Sequence, residues 1–384
     1  MADVLTTGQS LAGSRDRLAG ALGALRQELA AEAPELVARL EPLIGEGAGG
    51  QIGPAPRGSP AIPHVDYDRH PYYRALDCGD EALRQAAADR FFETFGAILG
   101  AERALADRRE AGAAAGSGDL QHREAVGEME RDGIHRFRLR PSELAEILER
   151  SQPAAEALEA RRQRIAPDQR AVGATLQPLA SRTAKDEAFE FYDELLRAHG
   201  VHAIAEQYYG CPFKLLGVNL QANTGEDTGI ARVCSFPDGR RSPAYYLHVD
   251  SAPGVLKVLM YRSPKVTAAN GAFRYMPGSH KALGPVERAV RKTIDKAGFE
   301  PLGDDGRRLF MALPACLRHK ANFGNDLLPE AGFDTDVLLA REMVFEGEAG
   351  EAVLVDINGA HRGNIHTDPV GRREMFKFVL KAGK

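Results

Sequence analysis

The first 126 residues carry their apolar side chains at helical spacing. Leu18, Leu22, Leu25 and Leu29 recur every three or four positions, which predicts a helix with one buried face. Leu83, Phe91, Phe92, Phe95 and Leu99 predict a second helix between about Asp80 and Arg109. Gly/Pro-rich or Gly/Ala-rich segments at 45–63 and 111–119 interrupt this pattern and read as loops. From about Gly127 the pattern changes. IHRFRL (134–139) reads as a strand, and Pro141 opens a helix at the position where its missing N–H costs nothing. Residues 185–209 are helical in pattern. Short, turn-bounded strands then follow at 213–223, 244–250, 254–262, 271–276, 351–357 and 374–381. Residues 284–297 read as a helix, and 298–345 show no clear period. Together these elements predict an α+β protein: a helical N-terminal extension over 1–126, then a β-sandwich or barrel over 127–384 with helices packed outside.

Composition narrows the function classes. The chain has 384 residues, 43% hydrophobic and 27% charged, as in an ordinary globular protein. It lacks the long apolar run of a membrane span, and its first residues lack the basic and apolar regions of a signal peptide. A net charge of −5 argues against a dedicated nucleic-acid binder. Cys78, Cys211, Cys234 and Cys316 show no CxxC spacing and are expected as reduced thiols in a cytoplasmic protein. The expected partner is a small-molecule substrate, with no nucleic acid and no membrane. The N-terminal helices are expected to cover the barrel mouth, to mediate a homo-oligomer, or both.

His248 and Asp250 alternate on one predicted strand, so both side chains project to one face. An imidazole and a carboxylate so placed suit a divalent first-row metal, and a third ligand would complete a two-His, one-carboxylate facial triad. A plain His–Asp hydrogen bond fits the same pair. His361 lies in a Gly-rich turn (NGAHRGN) after the apolar strand EAVLVDI, a natural place for a third ligand. Arg372 follows eleven residues later, where a planar guanidinium suits a bidentate grip on a carboxylate; Arg373, adjacent, fits that part as well.

HVD (248–250), NGAFRYMPGSHK (270–281) and AHRGNIHTDPVGRRE (360–374), in this order, resemble the phytanoyl-CoA dioxygenase family. The resemblance implies a double-stranded β-helix (jelly roll, cupin-like) and an Fe(II)/2-oxoglutarate-dependent dioxygenase. Such an enzyme oxidises an unactivated C–H of a small metabolite while converting 2-oxoglutarate and O₂ to succinate and CO₂. It further implies that His248, Asp250 and His361 hold iron and that Arg372 binds the distal carboxylate of 2-oxoglutarate. Asp250 stands where a halogenase would leave room for chloride, which favours hydroxylation or a related oxidation. The segment after His361 lacks the family's usual Ser-Gly-Pro-Asn run, and the N-terminal extension is not part of the common core.

Asn219, Gln221 and Asn223 share one strand face. If that face is the interior, Asn219 and Gln221 are the better candidates to bind cosubstrate; if it is the outer face, they are solvated. Lys257 either meets an anionic ligand or snorkels at a rim. Tyr246 either lines the cavity beside His248 or is a core tyrosine. Arg274 either faces the substrate pocket or forms a surface ion pair. His280 is expected in a structural hydrogen bond, and His366 stands too close to Arg372 to be the preferred third ligand. Two other readings fit the same residues: a cupin-like metal enzyme that does not use 2-oxoglutarate, and a non-catalytic β-helix that binds a ligand.

Overall fold

A computed structural model describes residues 13–44, 71–114, 122–166, 170, 172–184, 186–225, 249–250, 252–281, 284–299, 303–321, 342–363, 366–368 and 370–383. Its strands are β1 (Ile134–Arg138), β2 (Leu176–Ser181), β3 (Phe213–Thr224), β4 (Val255–Tyr261), β5 (Lys265–Val266), β6 (Phe273–Tyr275), β7 (Met343–Phe345), β8 (Gly347–Glu348), β9 (Glu351–Asp356), β10 (His361–Arg362) and β11 (Arg372–Ala382). Six of them form one antiparallel sheet in the order β1-β9-β4-β11-β3-β2, and three form a second in the order β10-β6-β7. After β4 the chain steps to the small sheet for β6 and β7, back for β9, across again for β10, and back for β11.

Side-chain parity decides what each face of the large sheet meets. Phe376, Phe378 and Leu380 of β11 turn outward with Val218, Leu220 and Ala222 of β3 and Leu256, Val258 and Met260 of β4. They pack on helices α6 (Pro141–Gln163), α8 (Glu187–Ala198) and α9 (Val201–Tyr209), where Tyr192 meets Phe378 edge-on at 5.9 Å. The opposite face carries Val255, Leu259, Tyr261, Val353, Val355 and Met375, and these meet Phe273, Tyr275 and Phe345 of the small sheet. The space between the sheets is the interior in which the candidate site lies.

Helix α6 starts at Pro141, as predicted. Glu143 closes its first turn, accepting at Oε2 from the Arg140 backbone N–H at 2.8 Å, and His199 Nε2 stands 2.9 Å from the same oxygen. The Arg140 side chain, above all, holds the Glu143 carboxyl down at about 2. A carboxyl depressed in the folded state contributes stability above its unfolded pKa and loses it as pH falls through that value toward about 2. Glu143→Gln is therefore expected to lower the melting temperature at pH 7 by about 2–4 °C. That difference should shrink steadily below pH 4.5, the ordinary value, when thermal unfolding is followed across pH.

Most of the remaining helices form a second core. Helix α1 (Gly13–Glu32) buries Leu18, Leu22, Leu25 and Leu29, and α2 (Val37–Ile44) adds Leu40. A short turn, α3 (Pro71–Arg74), leads to α4 (Glu81–Ala114), which adds Phe91, Phe92, Phe95 and Leu99. Helix α5 (Arg123–Asp132) spans residue 126 and packs with the sheet instead, through Ala125 and Met129; α7 (Val172–Thr175) precedes β2. The chain between β6 and β7, unreadable from 298 onward by period, contributes α10 (Pro285–Ala297), α11 (Gly303–Met311) and α12 (Ala315–Lys320). Their Val286, Val290, Ile294, Phe310 and Leu317 belong to the same cluster as the leucines of α1. The leucine stripe of α1 is thus used inside the chain. No helix among the described residues is long and apolar enough to cross a membrane.

Candidate active site

The turn after β9 is the anchor of the site. Asp356, the last residue of β9, is buried and accepts at Oδ1 from the Asn358 backbone N–H (2.9 Å) and from Asn358 Nδ2 (2.8 Å). Its Oδ2 accepts from the Tyr208 hydroxyl at 2.7 Å. The backbone of this turn then holds two expected ligands at once. The Asp250 N–H donates to the Ile357 carbonyl at 3.1 Å, and His361 Nδ1 stands 2.9 Å from the Gly359 carbonyl. A carbonyl only accepts, so Nδ1 carries the hydrogen and the Nε2 lone pair is presented to the interior. It faces the Asp250 carboxylate, with Nε2–Oδ1 at 3.6 Å. Gly359 is required here: a Cβ at that position would lie 1.8 Å from the Tyr275 hydroxyl, which itself donates to the Asp356 carbonyl at 3.0 Å.

The helical layer reaches the same turn. Asn358 Oδ1 accepts from Lys292 Nζ at 2.5 Å, and Lys292 donates in turn to Glu102 at 2.7 Å. Lys292, on α10, is fully buried, and Glu102 lies on α4. A buried ammonium needs such partners, and this one ties the N-terminal helices to the backbone that carries Asp250 and His361.

Cationic and amide side chains line the interior face of the large sheet. Asn219 of β3 lies opposite Lys377 of β11, Gln221 opposite Met375, and Asn223 opposite Arg373. Lys377 lies opposite Leu259 of β4 on its other side, and Val379 opposite Lys257. Lys257 forms an ion pair with Asp250 Oδ2. The Lys257 ammonium, followed by burial, pulls the Lys377 ammonium down to about 8. Arg373 is buried; it donates to the Gly271 carbonyl at 2.5 Å and to Asn223 Oδ1 at 3.0 Å, and burial lowers its pKa. Tyr261, buried nearby, has its hydroxyl pushed up to about 12 by burial.

Asp250, His361, Lys257, Asn219 and Gln221 therefore come to one interior. His248 and Tyr246 lie outside the described residues. Among the described residues no group of three or more His, Cys, Asp or Glu side chains is placed to hold a metal ion, so Asp250 and His361 stand as a pair. Arg372 does not join them, which corrects the expectation placed on it. It shares the outward parity of Glu374 and Phe376, is 35% exposed, and binds Glu159 and Glu374. Arg373, one residue on, turns inward. Arg274 also leaves the expected pocket: Phe273 and Tyr275 on either side face the interior, and Arg274 pairs with Glu342 at 3.2 Å. His280 makes the expected structural contact, 3.2 Å from the Glu130 carbonyl, and burial lowers its pKa to about 4. His366 bridges Asn270 through the backbone. The residues missed by sequence reasoning are Lys377, Asp356, Asn358 and Lys292. Parity alone was a signal for Lys377, because it is the polar residue opposite in phase to Phe376, Phe378 and Leu380.

No protein-family model matches the chain, and no curated protein matches it in sequence. Solved structures do resemble it. EctD from S. alaskensis in its apo form is 14% identical, covering 67% of this chain and 76% of that one, at a TM-score of 0.38. The non-heme α-ketoglutarate-dependent epimerase SnoN from nogalamycin biosynthesis is 15% identical, with coverages of 68% and 83% and a TM-score of 0.38. HygX from Streptomyces hygroscopicus, solved with nickel and 2-oxoglutarate bound, is 14% identical, with coverages of 69% and 88% and a TM-score of 0.38.

Proposed function

We propose that this protein is an Fe(II)/2-oxoglutarate-dependent oxygenase on a double-stranded β-helix, acting on a C–H bond of a small metabolite. The observation that carries the reading is the convergence of the His361 Nε2 and the Asp250 carboxylate, 3.6 Å apart, inside a barrel that also buries the Arg373 guanidinium. The stepping of the chain between its two sheets is the winding expected of that fold.

The donor set fits a ferrous ion. His361 has its tautomer set by the Gly359 carbonyl, as metal-binding histidines do. Asp250 offers a carboxylate, and His248, two residues earlier, is the proposed third ligand. The bound metal and cosubstrate would supply the activation of O₂ and the oxidising power. The chain's own residues do the rest. Arg373, in place of Arg372, would grip the distal carboxylate of 2-oxoglutarate, assisted by Gln221 as the neighbouring interior amide. Phe273, Tyr275 and Met375 keep that interior dry, which strengthens every polar contact in it. Asp250 completes a full ligand set, which favours hydroxylation or a related oxidation over halogenation. Cys78, Cys211 and Cys316 are not joined in disulfides.

The shared anchor gives a direct test. Lys292→Met and Asn358→Ala leave both proposed ligands in place but loosen the turn that orients them. Each is expected to weaken Fe(II) binding by about 10–100-fold, measured by anaerobic competition against a chelating dye. Unchanged iron affinity in both variants would mean that this turn does not orient metal ligands.

A further inference from the structure

Strands β4 and β11 bring two ammonium groups together inside the barrel. Lys257 lies opposite Val379 and Lys377 opposite Leu259, so the two lysines are diagonal neighbours on one sheet face, and their side chains touch. The charges that act most strongly on Lys377 are Lys257, Asp250 and Arg373, two cations and one carboxylate. Like charges side by side in a poorly hydrated interior repel, and burial disfavours each of them. Asp250 offsets one of the two, through its ion pair with Lys257.

On the oxygenase reading, on which this inference rests for its place in the reaction, Asp250 would hold the metal. The one free carboxylate of 2-oxoglutarate goes to Arg373. That guanidinium enters β11 four residues before Lys377, about 13 Å along the strand. Lys257 would then lose its Asp250 partner, and Lys257 and Lys377 would share the interior as a pair of positive charges. We propose that the pair is the anion-binding subsite of the substrate pocket, and that the substrate is a small molecule bearing a carboxylate or phosphate oxyanion. Asn219, opposite Lys377, adds an amide donor beside it. Charge-assisted hydrogen bonds of this kind are the strong ones, and an anion between the lysines removes their mutual repulsion as well.

Calorimetric titration of inorganic phosphate and, separately, acetate into the full chain tests this, with and without Ni(II) and 2-oxoglutarate. Wild type is expected to bind at least one probe, and the tighter one marks the oxyanion as phosphate or carboxylate. Lys377→Met should weaken that binding by at least about tenfold, whereas Lys377→Arg, which keeps the charge, should stay within about threefold. Lys257→Met should repeat the loss on the other strand, and thermal unfolding of each variant reports its fold. The dissociation constant of 2-oxoglutarate should move by less than about twofold in Lys377→Met. Equal probe binding by wild type and both Met variants overturns the proposal. So does a tenfold loss of 2-oxoglutarate affinity in Lys377→Met, which would assign the pair to the cosubstrate. If wild type binds no 2-oxoglutarate yet loses phosphate binding on Lys377→Met, the anion subsite stands and the oxygenase reading falls.

Discussion

Replacing His361 by Ala is expected to weaken Fe(II) binding by more than about 100-fold, beyond the loss that follows from disturbing a ligand's supporting contacts. The reason is geometric. His361 brings a buried imidazole whose Nδ1–H is already committed to the Gly359 carbonyl, so Nε2 is oriented before any ion arrives. Ala leaves Asp250 with Lys257 as its partner and removes the nitrogen facing it at 3.6 Å. The replacement also leaves the Gly359 carbonyl without its side-chain donor, so His361→Asn, which can restore that hydrogen bond, is the informative companion. Both variants should lose iron in equilibrium dialysis, and His361→Asn should keep the wild-type melting temperature within about 2 °C. Retention of stoichiometric iron by His361→Ala would remove this residue from the ligand set.

The second large effect separates two neighbouring arginines. Arg373→Ala is expected to raise the 2-oxoglutarate dissociation constant by at least about 30-fold, because losing one partner of a buried charge pair costs about 2–5 kcal/mol. Arg372→Ala should change it by less than about twofold, since that guanidinium lies on the outer face in a partly exposed contact with Glu159 and Glu374. Arg373 also holds the Gly271 carbonyl and Asn223, so Arg373→Ala is expected to lose some stability. Arg373→Lys keeps the charge without the planar fork, and should recover part of the affinity. If Arg372→Ala carries the loss and Arg373→Ala does not, the interior assignment of β11 is wrong.

These arginines show how far the sequence could be read. The alternation of Phe376, Phe378 and Leu380 marks one face of β11 as apolar, and the same parity, had it been followed to Lys377, sets Arg373 and Lys377 together on the other. What parity alone leaves open is which face meets the other sheet. That depends on where helices α6, α8 and α9 pack, a contact between segments far apart in sequence. Strands β4, after Asp250, and β9, before His361, were legible for the same local reason, since each is a short apolar run bounded by Gly or Pro, whereas the strand expected at 244–250 lies outside the described residues but for Val249 and Asp250. Arg274 was left open between pocket and ion pair; Glu342, which decides it, lies in a stretch with no readable period.

The helical layer divides in the same way. The leucines of α1 and the phenylalanines of α4 announced a buried face, but not the partner that buries it. That partner includes α10 and α11, inserted between β6 and β7. The consequence is functional as well as structural. Through Glu102, Lys292 and Asn358, the N-terminal helices touch the turn that holds both proposed ligands. Tyr208 and Asp356, which brace the same turn, are 148 positions apart. No local period reports such a pairing.

Asp250 and His361, with His248, are proposed to hold a ferrous ion to which 2-oxoglutarate binds. Anaerobic absorption spectroscopy of the metal-free protein titrated with Fe(II) and then 2-oxoglutarate tests it most directly. A weak visible charge-transfer band that saturates at one equivalent of iron, and is missing in His361→Ala, is the predicted result. Iron binding with no band on addition of 2-oxoglutarate, or a band that survives in His361→Ala, would contradict the account.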